Sequence, residues 1–183
     1  MPDPSPTPRL RTATPDDLPD LGELVDRSIR GLAPGSYDAA QIDSSLRHLF
    51  GVDTQLVADG TYYVVEVAGR IVACGGWSRR RTPYGGDNVA REVRSGDVRM
   101  PGRDAAVIRA FFVDPAWTRR GLGRMMLEAS ERAAAAAGFD RFELTATLMG
   151  RPLYAAAGYR EVHPMPITLP DGQVLANVHM EKP

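Results

Sequence analysis

The chain has 183 residues, 43% of them hydrophobic and 25% charged, ordinary values for a globular protein with a sizeable core. Its net charge of −1 gives no global field for nucleic acid or a membrane surface, so neither is expected as a partner. A single cysteine, Cys74, excludes an internal disulfide; with no apolar leader and no apolar run near the roughly 20 residues of a membrane span, the expected location is cytoplasmic.

Residues 1–8 are proline-rich and read as a flexible tail, leaving 9–183 as one domain. Arg9–Ala13 reads as a strand. Thr14-Pro15-Asp16-Asp17 then opens a helix, with Thr14 at the N-cap, Pro15 at the first helical position and Asp17 at the capping-box position. Leu18, Leu21, Leu24, Val25 and Ile29 fall at helical spacing, and Gly31–Ser36 breaks the helix. A second helix is expected from Ala39 to about Phe50. Tyr62–Val67 and Arg70–Trp77 form a hairpin about Ala68-Gly69. Cys74 lies in the second of these runs and reads as a small core residue rather than a nucleophile.

Ser78–Asp104 shows no sustained period and reads as a long functional loop. Ala106–Val113 is a strand, Gly123–Ala137 a long helix, Phe142–Thr147 a strand and Arg151–Ala157 a short helix. Tyr159–His163 begins a final antiparallel pair that turns at Asp171-Gly172 and returns through Val174–Met180. This order predicts a mixed α/β sheet, with 106–113 and 142–147 joined by a right-handed crossover.

Between Arg79 and Arg124 there are eleven arginines and five acids, a local excess of six positive charges. Arginine's planar fork suits phosphate, so the span reads equally as an anion site or as a solvated loop. The turn from Thr118 to Arg124 narrows the choice. It joins a strand to the N-terminus of a helix, where several N–H groups point one way. Gly121 and Gly123 allow close approach of a bulky anion, and Arg119, Arg120 and Arg124 surround it. A Walker loop is excluded, because no lysine is present in the turn. The dinucleotide fingerprint fails as well, because Met126 stands where its third glycine is needed.

Val113-Asp114-Pro115 followed by Arg119-Arg120-Gly121-Leu122-Gly123-Arg124 resembles motif A of the GNAT acetyltransferases. Leu144–Thr147 and then Leu153-Tyr154-Ala155-Ala156-Ala157-Gly158-Tyr159 resemble the next signature of that family. The resemblance implies a mostly antiparallel sheet with a central, splayed parallel pair and flanking helices. It implies an N-acetyltransferase using acetyl-CoA as co-substrate. The amides of residues 119–124 would hold the pyrophosphate, the backbone of Phe112 and Val113 would pair with the pantetheine arm, and Tyr154 would protonate the departing thiolate. Thr118 stands where the family usually has Gln or Arg, and Met149 where many members have Asn. The strand glutamate that many members use as a base is also missing. Glu66, a water chain or an amine already neutral on binding remain open for that role.

The expected acceptor is the primary amine of a small or amino-acid-like molecule; a protein amine, or a non-catalytic acyl-CoA-binding role, are the alternatives. Tyr37, Trp77, Arg79, Tyr84 and Arg109 are the candidate acceptor residues. Arg109, on a central strand, needs a partner, either a substrate carboxylate or an acid such as Asp87 or Glu66. His48, His163 and His179 show no ligand spacing, so no metal is expected. The final strands would also suit a homodimer.

Overall fold

The computed structural model describes residues 7–89 and 96–183; the expected tail, 1–8, falls largely outside them. Seven strands, numbered in chain order, make one sheet: β1 (Arg9–Thr12), β2 (Tyr62–Val67), β3 (Arg70–Ser78), β4 (Ala106–Val113), β5 (Phe142–Thr147), β9 (Asn177–Lys182) and β6 (Arg160–Pro164), in that spatial order. All neighbours are antiparallel except β4 and β5. Those two pair only at Ala106–Phe142 and Val107–Glu143, and then separate. The splayed parallel pair is therefore present.

A bulge accompanies the separation. Opposite Cys74 and Gly76 of β3 stand Phe112 and Arg109 of β4, so Gly75 faces two residues, Ala110 and Phe111. Ala110 takes a φ of +62°, uncommon for a residue with a Cβ. The buried Tyr62 hydroxyl donates to the Ala110 carbonyl at 3.0 Å, satisfying one polar group of the bulge. Such an extra residue bends its strand, here the one that parts from β5.

Two layers of helix cover the sheet. On one face lie α1 (Leu18–Leu32), α2 (Ala39–His48) and α3 (Thr54–Ala58), whose Leu21, Leu24, Ile29, Ile42 and Leu56 pack with Val64 and Phe112. Asp38 and Gln41 close a capping box at the start of α2, at 2.8 and 2.9 Å. On the other face lie α4 (Leu122–Ala136) and α5 (Arg151–Ala156). Leu122, Met126 and Leu127 of α4 are at most 2% exposed, each worth about 1.5–3 kcal/mol of burial. No helix among the described residues is long and apolar enough to cross a membrane.

The sequence reading needs three corrections. Thr54–Ala58 is helical, started by Asp53, whose carboxylate accepts the Leu56 N–H at 3.1 Å. The turn at Asp171-Gly172 belongs to a small separate hairpin, β7 (Ile167–Thr168) with β8 (Val174–Leu175). The long return strand, β9, starts after it and inserts between β5 and β6. Finally, the ends of the 78–104 loop are tied together: Arg99 N–H donates to the Arg79 carbonyl at 2.6 Å and Arg81 N–H to that of Asp97 at 3.0 Å.

Cys74 is fully buried beside the Tyr62 hydroxyl, and burial pushes its thiol up to about 12. It is a core residue, as its apolar neighbours in sequence implied.

Candidate active site

The turn into α4 keeps its N–H groups free. Met125 N–H is returned to the Gly121 carbonyl at 2.9 Å, which leaves those of Leu122, Gly123 and Arg124 without an acceptor within the helix. The two glycines serve different ends. Gly121 takes a φ of +79° and has open space where a Cβ would stand. A Cβ on Gly123 would lie 3.0 Å from Leu153 Cδ2, so that glycine lets α4 close on α5. Arg119 is also left-handed, at φ +62°. Arg120 lies over the Trp117 ring at 4.5 Å, and Arg124 pairs with Glu128 at 3.0 Å, both at the surface. The turn thus offers an open row of donors beside cationic side chains and the positive end of a helix, which fits a pyrophosphate.

The rest of the arginine-rich span is used differently. Arg80 pairs with Asp59 at 2.7 Å, Arg81 with Asp104 at 3.1 Å and Arg99 with Glu143 at 2.6 Å. The first ties the loop to the end of α3, the second ties the loop to itself and the third ties it to β5. Arg91 and Arg94 lie outside the described residues.

Where β4 leaves β5 there is a cavity of about 80 Å³. Ile108–Phe112 of β4, Thr145 and Thr147 of β5, and Tyr154 of α5 line it, with Phe50, Tyr84 and Met149 among the residues closing it. Tyr154 is 9% exposed, edge-on to Phe111 at 6.1 Å and to Tyr159 at 5.9 Å. Its hydroxyl has no hydrogen-bond partner among the described residues, and burial holds the phenol well above the usual tyrosine range. It stays protonated at neutral pH.

Of the candidate residues the cavity gathers Tyr84, Arg109, Phe112 and Tyr154. Val113 is not part of its wall, and its N–H donates to Ser28 Oγ at 3.2 Å. Tyr37 is a clamp: its hydroxyl donates to the Ala176 carbonyl at 2.8 Å and accepts the Leu148 N–H at 3.0 Å. Trp77 packs on Phe139 at 6.0 Å in the core beneath α4, with Arg79 lying 5.8 Å above its ring. Neither lines the cavity.

Arg109 finds its partner in neither Asp87 nor Glu66. It forms an ion pair with Asp53, which is fully buried, and donates to the Thr82 carbonyl at 3.0 Å. Glu66 lies on the β1–β2 edge, bonded to Arg11 at 2.5 Å, and is absent from the cavity wall.

Sequence reasoning missed three features. Thr145 and Thr147 alternate with buried Phe142, Leu144 and Ala146, a two-residue period that marks a polar face. Phe50 follows α2 with no local sign of its use. Two of the histidines, distant in sequence, come together: His163 stacks on His179 at 5.0 Å, and His179 Nε2 lies 3.0 Å from Glu181 Oε1. Glu143, His179 and Glu181 bring one donor atom each within 4.8 Å of one another, a group that the spacing did not suggest.

A sheet opened between two parallel strands, a donor-lined turn at one side and a tyrosine-ended cavity at the other define an acyl-CoA-dependent transferase architecture. Residues 27–159 match the model of the acetyltransferase (GNAT) family, and the chain belongs to that family. It is an acetyltransferase by family, and the family uses acetyl-CoA. No curated protein matches the chain. Among solved structures it resembles a GCN5-related N-acetyltransferase from Rhodopseudomonas palustris, with a TM-score of 0.70 and 19% identity over 96% of this chain and 95% of that one. It resembles the PaiA N-acetyltransferase of Thermoplasma acidophilum, solved in complex with coenzyme A, with a TM-score of 0.64 and 13% identity over 96% and 98%. The ribosomal-protein-S18-alanine N-acetyltransferase of Escherichia coli gives 0.58 and 16% over 97% and 94%. At these identities the likeness is one of fold.

Proposed function

We propose that the protein transfers an acetyl group from acetyl-CoA to the primary amine of a small or amino-acid-like molecule held in the cavity between β4 and β5. The observation that carries this reading is the free Tyr154 hydroxyl at the point where the strands part. The N–H groups of Leu122, Gly123 and Arg124 hold the pyrophosphate, with the Arg119 and Arg120 side chains and the amide of Gly121 beside them. The edge of β4 beyond Val107, freed from β5, lies along the pantetheine arm.

Tyr154 acts as the general acid. A buried, neutral phenol near the leaving sulfur donates its proton as the carbon–sulfur bond breaks. The acceptor's body lies among Phe50, Tyr84 and Phe112. Arg109 is compensated by Asp53 within the protein, which argues for an acceptor without a carboxylate at that point.

Thermal shift with acetyl-CoA, with CoA and with ATP tests the first half of the reading. Saturation at about 100 times the dissociation constant raises stability by roughly 2.7 kcal/mol, and ATP should give little. A CoA-release screen across apolar amines, amino-acid amides, polyamines and short peptides tests the second. Turnover of peptides alone would move the acceptor to a protein N-terminus, and no turnover with any amine would overturn the transferase reading.

A further inference from the structure

We propose that His179, backed by Glu181, is the proton acceptor for the attacking amine. The inference rests on the transfer reading above and adds the group that reading lacks. An aliphatic amine is almost wholly ammonium at neutral pH and must lose a proton before it attacks.

The cavity beside Tyr154 has no carboxylate and no imidazole in its wall among the described residues. Three carboxylates on the strands and loops around it face a guanidinium, Asp53 that of Arg109, Glu143 that of Arg99 and Glu66 that of Arg11, while Asp87, after Gly86, bonds Thr54. The oxygens facing those guanidiniums are already engaged by N–H donors, so these carboxylates are poorly placed to take a proton from the cavity.

His179 has the reverse arrangement, with an acid for a partner. A carboxylate only accepts hydrogen bonds, so Nε2, at 3.0 Å from Glu181 Oε1, carries the hydrogen and Nδ1 keeps the lone pair. Glu181 thereby fixes the tautomer and leaves Nδ1 as the ring atom able to accept a proton. The other groups facing the ring are Glu143 of β5, with Arg99 behind it, and His163 of β6, stacked at 5.0 Å.

Position links this pair to the cavity. On the β5–β9 ladder His179 stands directly opposite Thr145, where facing Cβ atoms are about 5 Å apart. Thr145 and Pro83 line the cavity, and both also line a second hollow of about 200 Å³ whose wall includes His179, His163 and Glu143. A hollow of that size has room for water, and a relay over Thr145, whose hydroxyl lies 3.4 Å from Met165 Sδ, would join the amine to the ring.

The ammonium passes one proton through water to His179 Nδ1. The free amine then adds to the thioester carbonyl, forming the carbon–nitrogen bond, and the carbon–sulfur bond breaks. The departing thiolate takes the proton of Tyr154. The tyrosine recovers one from the new amide nitrogen, and the imidazolium returns its proton to solvent.

The test is the pH profile of kcat/KM for wild type, His179→Gln and Glu181→Gln, from about pH 6 to about pH 10, with an amine found active in the screen. His179→Gln should lose about 100-fold near neutrality. The deficit should shrink as the pH nears the amine's own pKa, while the acetyl-CoA dissociation constant and melting temperature stay unchanged. Glu181→Gln should show a smaller deficit of the same shape, and added imidazole should partly restore His179→Ala. Should His179→Gln fail to fold, Glu181→Gln carries the test, since its side chain is 54% exposed. A wild-type profile in these variants, or an equal loss at every pH without imidazole rescue, overturns the assignment and leaves the transferase intact. A wild-type protein that acetylates no amine overturns both.

Discussion

Arg109 of β4 and Asp53 at the head of α3 form an ion pair, 56 positions apart in sequence, in which the Arg109 side chain is 7% exposed and that of Asp53 not at all. The pair pins the loop after α2 to the strand that lines the cavity. It also keeps the Arg109 guanidinium in the cavity wall electrically compensated.

Removing one partner leaves a buried charge without compensation. Asp53→Ala should therefore cost about 3–5 kcal/mol, measured by urea unfolding. Replacing both, as Asp53→Leu with Arg109→Met, should recover most of that loss. A double variant that loses the sum of the two single losses would show that the pair is not coupled.

Tyr154→Phe keeps the ring against Phe111 and Tyr159 and removes the hydroxyl alone. The expected result is a fall in kcat of about 100-fold or more, with the acetyl-CoA dissociation constant unchanged. Equal activity would exclude this hydroxyl as the acid.

The two glycines of the turn should respond differently. Gly121→Ala has room for its methyl group but must hold a φ of +79°, at a cost of about 1–2 kcal/mol, and should weaken acetyl-CoA binding. Gly123→Val pushes side-chain atoms into Leu153 and should lower the melting temperature as well as the affinity. Calorimetric titration with CoA and a thermal scan separate the two effects.

Asp17, at the head of α1, is tied to β1 through Arg11, which also bonds Glu66 of β2. Arg11 bonds it at 2.7 and 2.8 Å, and with the Thr14 N–H it holds the carboxyl down at about 2, against an ordinary 3.8. A depressed carboxyl stabilises the fold above its unfolded pKa and loses that contribution as pH falls toward the folded value. The stability gap between wild type and Asp17→Asn should be full at about pH 5 and should narrow steadily below about pH 4. Urea midpoints across that range check it, and a gap independent of pH would contradict the pairing.

Much of the sheet was legible because its signals are local. Gly121-Leu122-Gly123 announces a strand-to-helix turn, and Phe142–Thr147 reads as a strand. What escaped depends on contacts between distant residues. Nothing in Arg70–Trp77 or Ala106–Val113 marks Ala110 as left-handed, since an alanine at φ +62° is held there by its surroundings, such as the Tyr62 hydroxyl. The partner of Arg109 lies in a loop that is ordinary in sequence. His163 meets His179 only because β9 inserts beside β6 after the small hairpin. Trp77 and Tyr37 had the residue types of a binding site, but they are structural: one fills the core and the other ties loops together.

The seclusion of Cys74 makes the intact protein silent toward thiol reagents. With its thiol pushed up to about 12 and no exposure, it offers almost no thiolate at working pH. During turnover, then, a reagent that colours on meeting sulfur counts only the coenzyme released. Its later appearance in a resting sample marks molecules that have come unfolded. One reagent thus reports catalysis in the first minutes and loss of the fold afterwards.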